Sequence, residues 1–345
     1  VLDRRRTLAL GAAAALAGCV RPLMTPSHAR PVDRARMAQG FPALARRALP
    51  GVLGLAVSAI DDGQRGWSSD QLRTWPLAGA AAAPIAATAL AQIDAGELSL
   101  TQPVGIAADD LSPPPSLIDQ RWPDPPQGHA ETIPLQSLFD LALRQGDDTA
   151  IDLLLKAVGG PGAVTAFLEA RQVTGLTVDR YQREIIVALS GMPTFRPAWK
   201  TPAAFDAAHD AIPAPARRAA MRAFIADARD SATAPAALGF LDSLVGGELV
   251  SPASTARLLG WMQRTPGSRL RPGLPASVRL AVAVGATPTD LGETAATTEL
   301  AVATWPDGYR YALAAFLVGS TADAAARGAL FADAARLVAA AIGGV

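Results

Sequence analysis

Lysine is almost absent from this chain. Of the 31 basic residues in 345, all but Lys156 and Lys200 are arginine, so chemistry that needs a lysine amine has two places to find one. Cysteine occurs once, at Cys19, which excludes an internal disulfide and any CxxC metal site. The three histidines, His28, His129 and His209, are scattered through polar or proline-rich surroundings. Exposed side chains are expected there, not a zinc site. The formal net charge is +0, which leaves no basic surface to hold nucleic acid. No cofactor and no metal are expected.

What is present begins with VLDRRRTLALGAAAALAGC. Arg4, Arg5 and Arg6 form a positive cluster ahead of the apolar stretch Thr7 to Ala17, which is too short to span a bilayer and reads as a secretion signal set apart from the fold. The paired arginines resemble a twin-arginine export signal. Leu16-Ala17-Gly18-Cys19 resembles a bacterial lipoprotein processing box, in which Cys19 carries the lipid; a plain secretory signal with an incidental cysteine is the alternative. The expected organisation is a signal peptide over 1–18, a lipidated tether over 19–37 and a domain over 38–345. That domain would sit in the periplasm or cell envelope, monomeric and held to a membrane by its lipid.

Within the domain, Phe41 to Arg47 ends a helix, and Val52 to Ile60 is β-branched and apolar enough for a strand. Asp61 to Gln64 turns the chain and Arg65 to Ser68 begins the return strand. Within Trp75 to Leu100 an alanine-rich run, without a polar side chain from Gly79 until Thr88, favours helix, with Gly96 as its stop. Residues 103–131, with Pro113-Pro114-Pro115 and Pro123, Pro125 and Pro126, read as a stiff irregular loop. Helical periodicity follows at Leu135 to Arg144, Thr149 to Val158 and Pro161 to Ala170, then at Pro213 to Ala228, Pro235 to Gly246 and from a Ser251 cap with Pro252 at the first position. Strands are expected at Val278 to Val284, Glu299 to Trp305 and Tyr309 to Val318, with a closing helix over Ala324 to Ile342. Strands at both ends around a helical middle imply an α+β fold: one antiparallel sheet built from 38–75 and 275–345, and a helical subdomain over 76–274.

The order of these elements, with the phrases Ile93-Asp94-Ala95-Gly96-Glu97-Leu98-Ser99-Leu100, Asp147-Asp148-Thr149-Ala150, Gly159-Gly160-Pro161-Gly162 and Leu249-Val250-Ser251-Pro252-Ala253-Ser254, resembles the class A serine β-lactamases from about Phe41 to Ile342. The resemblance implies an α/β/α sandwich with a five-stranded antiparallel sheet. It also implies acyl-transfer chemistry: a serine nucleophile, a lysine one turn on, a serine-aspartate-asparagine triplet, a water-activating glutamate and a Lys-Thr-Gly strand.

Carried over residue by residue, those positions are changed. The nucleophile position is Gly79 and the lysine position Ala82. The triplet reads Gly146-Asp147-Asp148, keeping the mainly structural aspartate at Asp147. At Asp148 it has a carboxylate that would repel an anionic β-lactam and donates only when protonated. The glutamate position is Gln182, and the Lys-Thr-Gly strand reads Ala283-Val284-Gly285. Neither lysine follows a serine at Ser-x-x-Lys spacing. Arg180 and Asp230 match the family's loop-closing ion pair, yet Gln182 and Asp230 are 48 positions apart, far beyond the family's spacing. The surplus is the 190–228 insertion, expected either beside or over the cleft, or packed away on the surface.

The leading reading is a catalytically inactive envelope lipoprotein that binds an unidentified envelope component or protein partner. The rival is a hydrolase, either of β-lactams or through a carboxylate site made from Asp147, Asp148 or Glu184; Ser68 and Ser69 lie nearby without a base at useful spacing. Asp147 is expected to cap a helix, and Glu184 to face solvent or pair with an arginine. An open polar cleft holding Asp148 and Gln182 would favour a ligand, and a filled one a structural role. Restoring Gly79→Ser and Ala82→Lys together is expected to leave the chain without turnover, because Gln182, Gly146 and Ala283 remain. Chromophore release from a reporter cephalosporin measures this, and hydrolysis above the parent's background refutes it.

Overall fold

The computed structural model describes residues 30–60, 62–113, 115–121, 131–199 and 201–343. The leader, Cys19, most of the tether and Lys200 lie outside the described residues.

In chain order, α1 (Arg34–Arg47) leads to β1 (Val52–Ala59), β2 (Asp62–Ser68) and β3 (Thr74–Pro76). A 3₁₀ turn, Ala78–Ala81, runs into α2 (Ala82–Asp94). Next come β4 (Pro103–Ile106), α3 (Leu117–Arg121), β5 (Glu131–Pro134), α4 (Leu135–Asp140), α5 (Asp148–Ala157), α6 (Ala163–Glu169) and α7 (Gln182–Leu189). Then follow α8 (Pro202–Asp210), α9 (Ala214–Ala226), β6 (Ser231–Thr233), α10 (Ala234–Gly246) and α11 (Pro252–Gln263). The chain closes with β7 (Arg279–Ala286), β8 (Thr289–Asp290), β9 (Glu293–Thr304), β10 (Arg310–Ser320) and α12 (Ala324–Ile342).

The main sheet has the order β2-β1-β10-β9-β7, antiparallel throughout, with two-residue β8 pairing the start of β9. The main sheet therefore has the five expected strands and a short sixth. Side chains alternate across the sheet. Leu53, Leu55, Val57, Tyr311, Leu313 and Leu317 pack with Phe331, Ala335 and Val338 of α12 on one face. Ala56, Ala312, Ala314 and Phe316 pack with Ile85, Ala86, Phe240 and Leu241 on the other. The result is the α/β/α sandwich, with α2 packed against α5, α6 and α11 in the helical half.

Several boundaries differ from the sequence expectation. The segment 103–131 is not wholly irregular: β4 pairs β5, with Val104 opposite Ile133 and the prolines Pro103 and Pro134 facing each other at one end of the ladder. Proline is tolerated at a strand's end because no ladder donor is needed there. Strand β9 begins at Glu293, six positions before the apolar run, with two of its buried threonines bonded inside while the Thr297 hydroxyl has no partner among the described residues. Thr298 Oγ1 donates to Pro76 O at 2.7 Å, and Thr294 and Thr289 hydroxyls lie 2.6 Å apart. The helix from Leu135 does not continue regularly to Arg144; after Asp140 it widens into a π turn over Leu141–Gln145. Gln182 opens α7 instead of lying in a loop.

Helix α12 is seated on the turn Arg271–Gly273. A Cβ at Gly273 would stand 1.9 Å from Ala332 O, whereas one at Gly328, in the same helix as Ala332, meets nothing within 4 Å. Gly273→Ala is therefore expected to cost about 3 kcal/mol or more through forced backbone displacement. Gly328→Ala should stabilise by about 0.5–1 kcal/mol through helix propensity. Denaturant unfolding of the two variants measures both, and equal effects would contradict the packing.

Candidate functional site

The helical half meets the sheet where β7 crosses the 3₁₀ turn before α2. A Cβ on Gly285 would lie 2.5 Å from Ala80 N and 2.7 Å from Gly79 N, so only glycine lets these backbones approach. At Gly79 a Cβ would have ordinary contacts, 3.4 Å from Val284 O; space does not forbid a side chain there. Ala78, just before it, is held at φ 47°, a left-handed conformation that costs a non-glycine residue energy.

Beside this crossing lies a cavity of about 200 Å³ lined by Gly79, Gly146, Asp148, Gln182, Val284 and Gly285, together with Ile185, Ile186 and Leu189 of α7 and Arg269 and Thr287. Three other positions singled out from the sequence do not line it. Ala82, Asp147 and Ala283 are all buried, Ala82 and Ala283 inside the apolar core.

The carboxylates separate by role. Asp147 caps α5, accepting from Ala150 N at 2.9 Å, and also accepts from Ser116 Oγ at 3.0 Å and Ile118 N at 3.2 Å. Glu184 is exposed and accepts from Tyr181 N at 2.9 Å, closing a capping box on α7. It faces solvent, as expected from the sequence, and adds the cap to that exposure. Asp148 alone of the three reaches the cavity, so the carboxylate site imagined from Asp147, Asp148 and Glu184 is not assembled.

The acid that does accompany Asp148 is Asp152, one helical turn on and fully buried. Its carboxylate accepts from Ser112 Oγ at 2.9 Å and from the backbone N–H groups of Gln182 and Arg183, and it pairs with the Arg183 guanidinium at 3.2 Å. That guanidinium also stacks 4.0 Å from the centre of the Tyr181 ring. An acid at a helix start satisfies orphan donors and the dipole together, so Asp152 fixes the first turn of α7 and with it the cavity wall. Sequence reading missed Asp152, although an acid four positions after Asp148 inside the apolar run of α5 was a usable signal. It also missed Arg269, which no pattern marks; its backbone N–H and guanidinium both face Glu299, at 2.6 and 3.5 Å.

Burial pushes the Asp148 carboxyl up to about 8, with Asp152 and Asp147 adding repulsion. Burial also raises Asp152, to about 7, against the pull of Arg183 and the N–H donors. Of this coupled pair Asp148 holds its proton more firmly, because no described residue donates to it. At neutral pH it is therefore a neutral acid able to donate, contrary to the repelling carboxylate expected from sequence.

The loop before α7 is tied as its sequence suggested. Arg180 Nε donates to Asp230 at 2.6 Å, and Asp230 also accepts from the N–H groups of Asp179 and Arg180. The insertion after α7 neither covers the cavity nor lies loose. Helix α9 packs behind α7 and against β3, β9 and β10, burying Met221 and Phe224. Arg217 meets Asp290 of β8 at 2.9 Å, with His209 of α8 3.5 Å from the same carboxylate. Helix α8 itself buries no residue.

A turn, a helix start, a loop glycine and a sheet edge converging on one cleft, between an end-built antiparallel sheet and a helical half, is the frame of the class A β-lactamases. The sequence profile of the beta-lactamase enzyme family matches residues 37–342, and the chain belongs to that family. It is 28% identical over 346 residues to a beta-lactamase of Streptomyces fradiae, covering 98% of this chain and 96% of that one. Among solved structures, the class A beta-lactamase described as the last common ancestor of Gram-negative bacteria (GNCA4) superposes with TM-score 0.68 at 28% identity. The match covers 90% of this chain and all of that one. A beta-lactamase from Chitinophaga pinensis superposes with the same score at 23% identity, over 87% and 97% of the two chains.

Asp148 and Asp152 hold protons in the folded chain at pH values where the unfolded chain has released them. Stability attributable to them therefore falls as pH rises from the ordinary carboxylate range toward 8. Asp148→Asn is expected to be more stable than the parent by about 1–3 kcal/mol at pH 8, discounted for partial exposure, and equal to it near pH 4. Urea unfolding across that range checks this, and a variant no more stable at pH 8 contradicts it.

Proposed function

We propose that this chain is a catalytically inactive member of its family that binds a small ligand in the cavity between α5, α7 and β7. The observation that carries the reading is an open cavity whose nucleophile position, Gly79, has no side chain while its walls keep Asp148 and Gln182. The nearest hydroxyl on the lining, Thr287 Oγ1, accepts from Ala296 N at 3.0 Å, leaving it held to backbone without a base. Lys156 pairs with Asp110 at 2.7 Å, away from the lining. Ser68 lies in a separate pocket beside Trp67, and Ser69 Oγ accepts from Leu55 N at 3.0 Å. Acyl transfer needs an oxygen nucleophile and a route for its proton, and the described residues lining the cavity offer no such pair. The leader supports the further reading of a lipoprotein, tethered through Cys19 in the cell envelope, with an envelope component as its ligand or partner.

Intact mass spectrometry of the protein, after separate incubation with a reporter cephalosporin, a penicillin and an activated serine-hydrolase probe, tests the proposal. The expected result is an unmodified mass and no released chromophore. A stoichiometric adduct, or turnover above buffer, would overturn it.

A further inference from the structure

Asp148 is the feature of the cavity that the fold leaves unanswered. Among the described residues nothing donates a hydrogen bond or an ion pair to its carboxyl, while every other charged group near it is already engaged. Asp147 is taken up by Ser116, Ile118 N and Ala150 N, and Asp152 by Ser112, Arg183 and the start of α7. Across the cavity Arg269 faces the fully buried Glu299, so its charge is largely met within the protein. Gln182 is neutral and buried. The α7 wall is apolar, made by Ile185, Ile186 and Leu189.

A carboxyl so placed lacks one thing, a cation, and the cavity beside it has room for one on an apolar body. We propose that the cavity binds a small ammonium-bearing molecule, its charged nitrogen seated on Asp148 and its apolar part against Ile185, Ile186 and Leu189. This rests on the reading of the chain as a binding protein and names the ligand class for that site. An anionic ligand would have to share Arg269 with a buried glutamate and lie against Asp148. A neutral one would share at most a hydrogen bond with the protonated acid and gain nothing from the negative field of Asp152 and Asp147 behind it. Because Asp148 is protonated in the free protein up to about pH 8, seating an ammonium requires it to release that proton. Affinity for the amine must therefore rise with pH over the range below 8. The proton goes to buffer, and no bond other than the acid O–H is broken.

The test is calorimetric titration of the whole protein with 2-phenylethylamine, 2-phenylethanol and phenylacetate. The amine is expected to bind at least about tenfold more tightly than the alcohol at neutral pH. Its affinity should rise about tenfold from pH 6 to pH 7, with a proton release visible as a buffer-dependent heat. In Asp148→Asn, which keeps the side-chain shape and leaves the Asp147 cap intact, amine and alcohol should bind alike and the pH dependence should vanish; a thermal melt confirms folding. Equal or tighter binding of phenylacetate or the alcohol, no binding of the amine, or an affinity independent of pH overturns the proposal. A covalent adduct in the mass-spectrometric experiment would instead remove the non-catalytic reading, because the titration measures reversible amine binding alone.

Discussion

The contact on which the site depends is between backbones. Gly285 lies so near the N–H groups of Gly79 and Ala80 that no side chain fits between them, and this sets the distance from the sheet's last long strand to the start of α2. Everything that lines the cavity is referenced to that crossing: Val284 and Thr287 along β7 and its end, Gly79 on the turn, and, through the packing of α2 on α5, Asp148 on the opposite wall. The family frame survives here because it is held by close backbone approach and small residues, which do not require the groups that perform chemistry.

The second organising element is a set of buried acids, each with a different duty. Asp147 closes a helix start, Asp152 holds the neighbouring helix in place, and Asp230 ties Arg180 into the loop before it. Asp148 differs from them in facing the cavity and in having no donors among the described residues. Its neutrality at pH 7 follows first from burial and then from the two acids close by, with no donor to offset them. The same residue type is thus structural where N–H groups surround it and faces the cavity where they do not.

Much of the frame was legible from short phrases. Asp94 and the Ser251-Pro252-Ala253-Ser254 phrase, far apart in sequence, meet in one network: Asp94 accepts from Ser251 N at 2.7 Å, Ser251 Oγ at 2.9 Å and Ser254 Oγ at 2.7 Å. Gly285, singled out as the one residue kept from its motif, marks a true steric limit. The illegible parts have physical causes. Pro103 and Pro134 hid a ladder, because proline argues against a strand except at its ends. The threonines of β9 hid half of a buried strand behind polar side chains, of which Thr294 and Thr298 find partners only in three dimensions. Arg269 reached the cavity through the tertiary path alone. The insertion's length was plain, but its seat behind α7 depended on Arg217 and Asp290 meeting from remote parts of the chain.

The sheet's pairing has a consequence for how the molecule comes into being. Strand β1 has β10 as its inner neighbour, with Val52 opposite Val318 and Ala59 opposite Tyr311. The first long strand therefore waits for the last strand before its inner edge is paired. The intervening helices can form early from local contacts, but the central pairing closes a loop of most of the chain, which slows its formation. During synthesis, an emerging chain can pair β1 with β2 but leaves its other edge open until β10 arrives. A product cut short before Arg310 would lose its central strand instead of an edge.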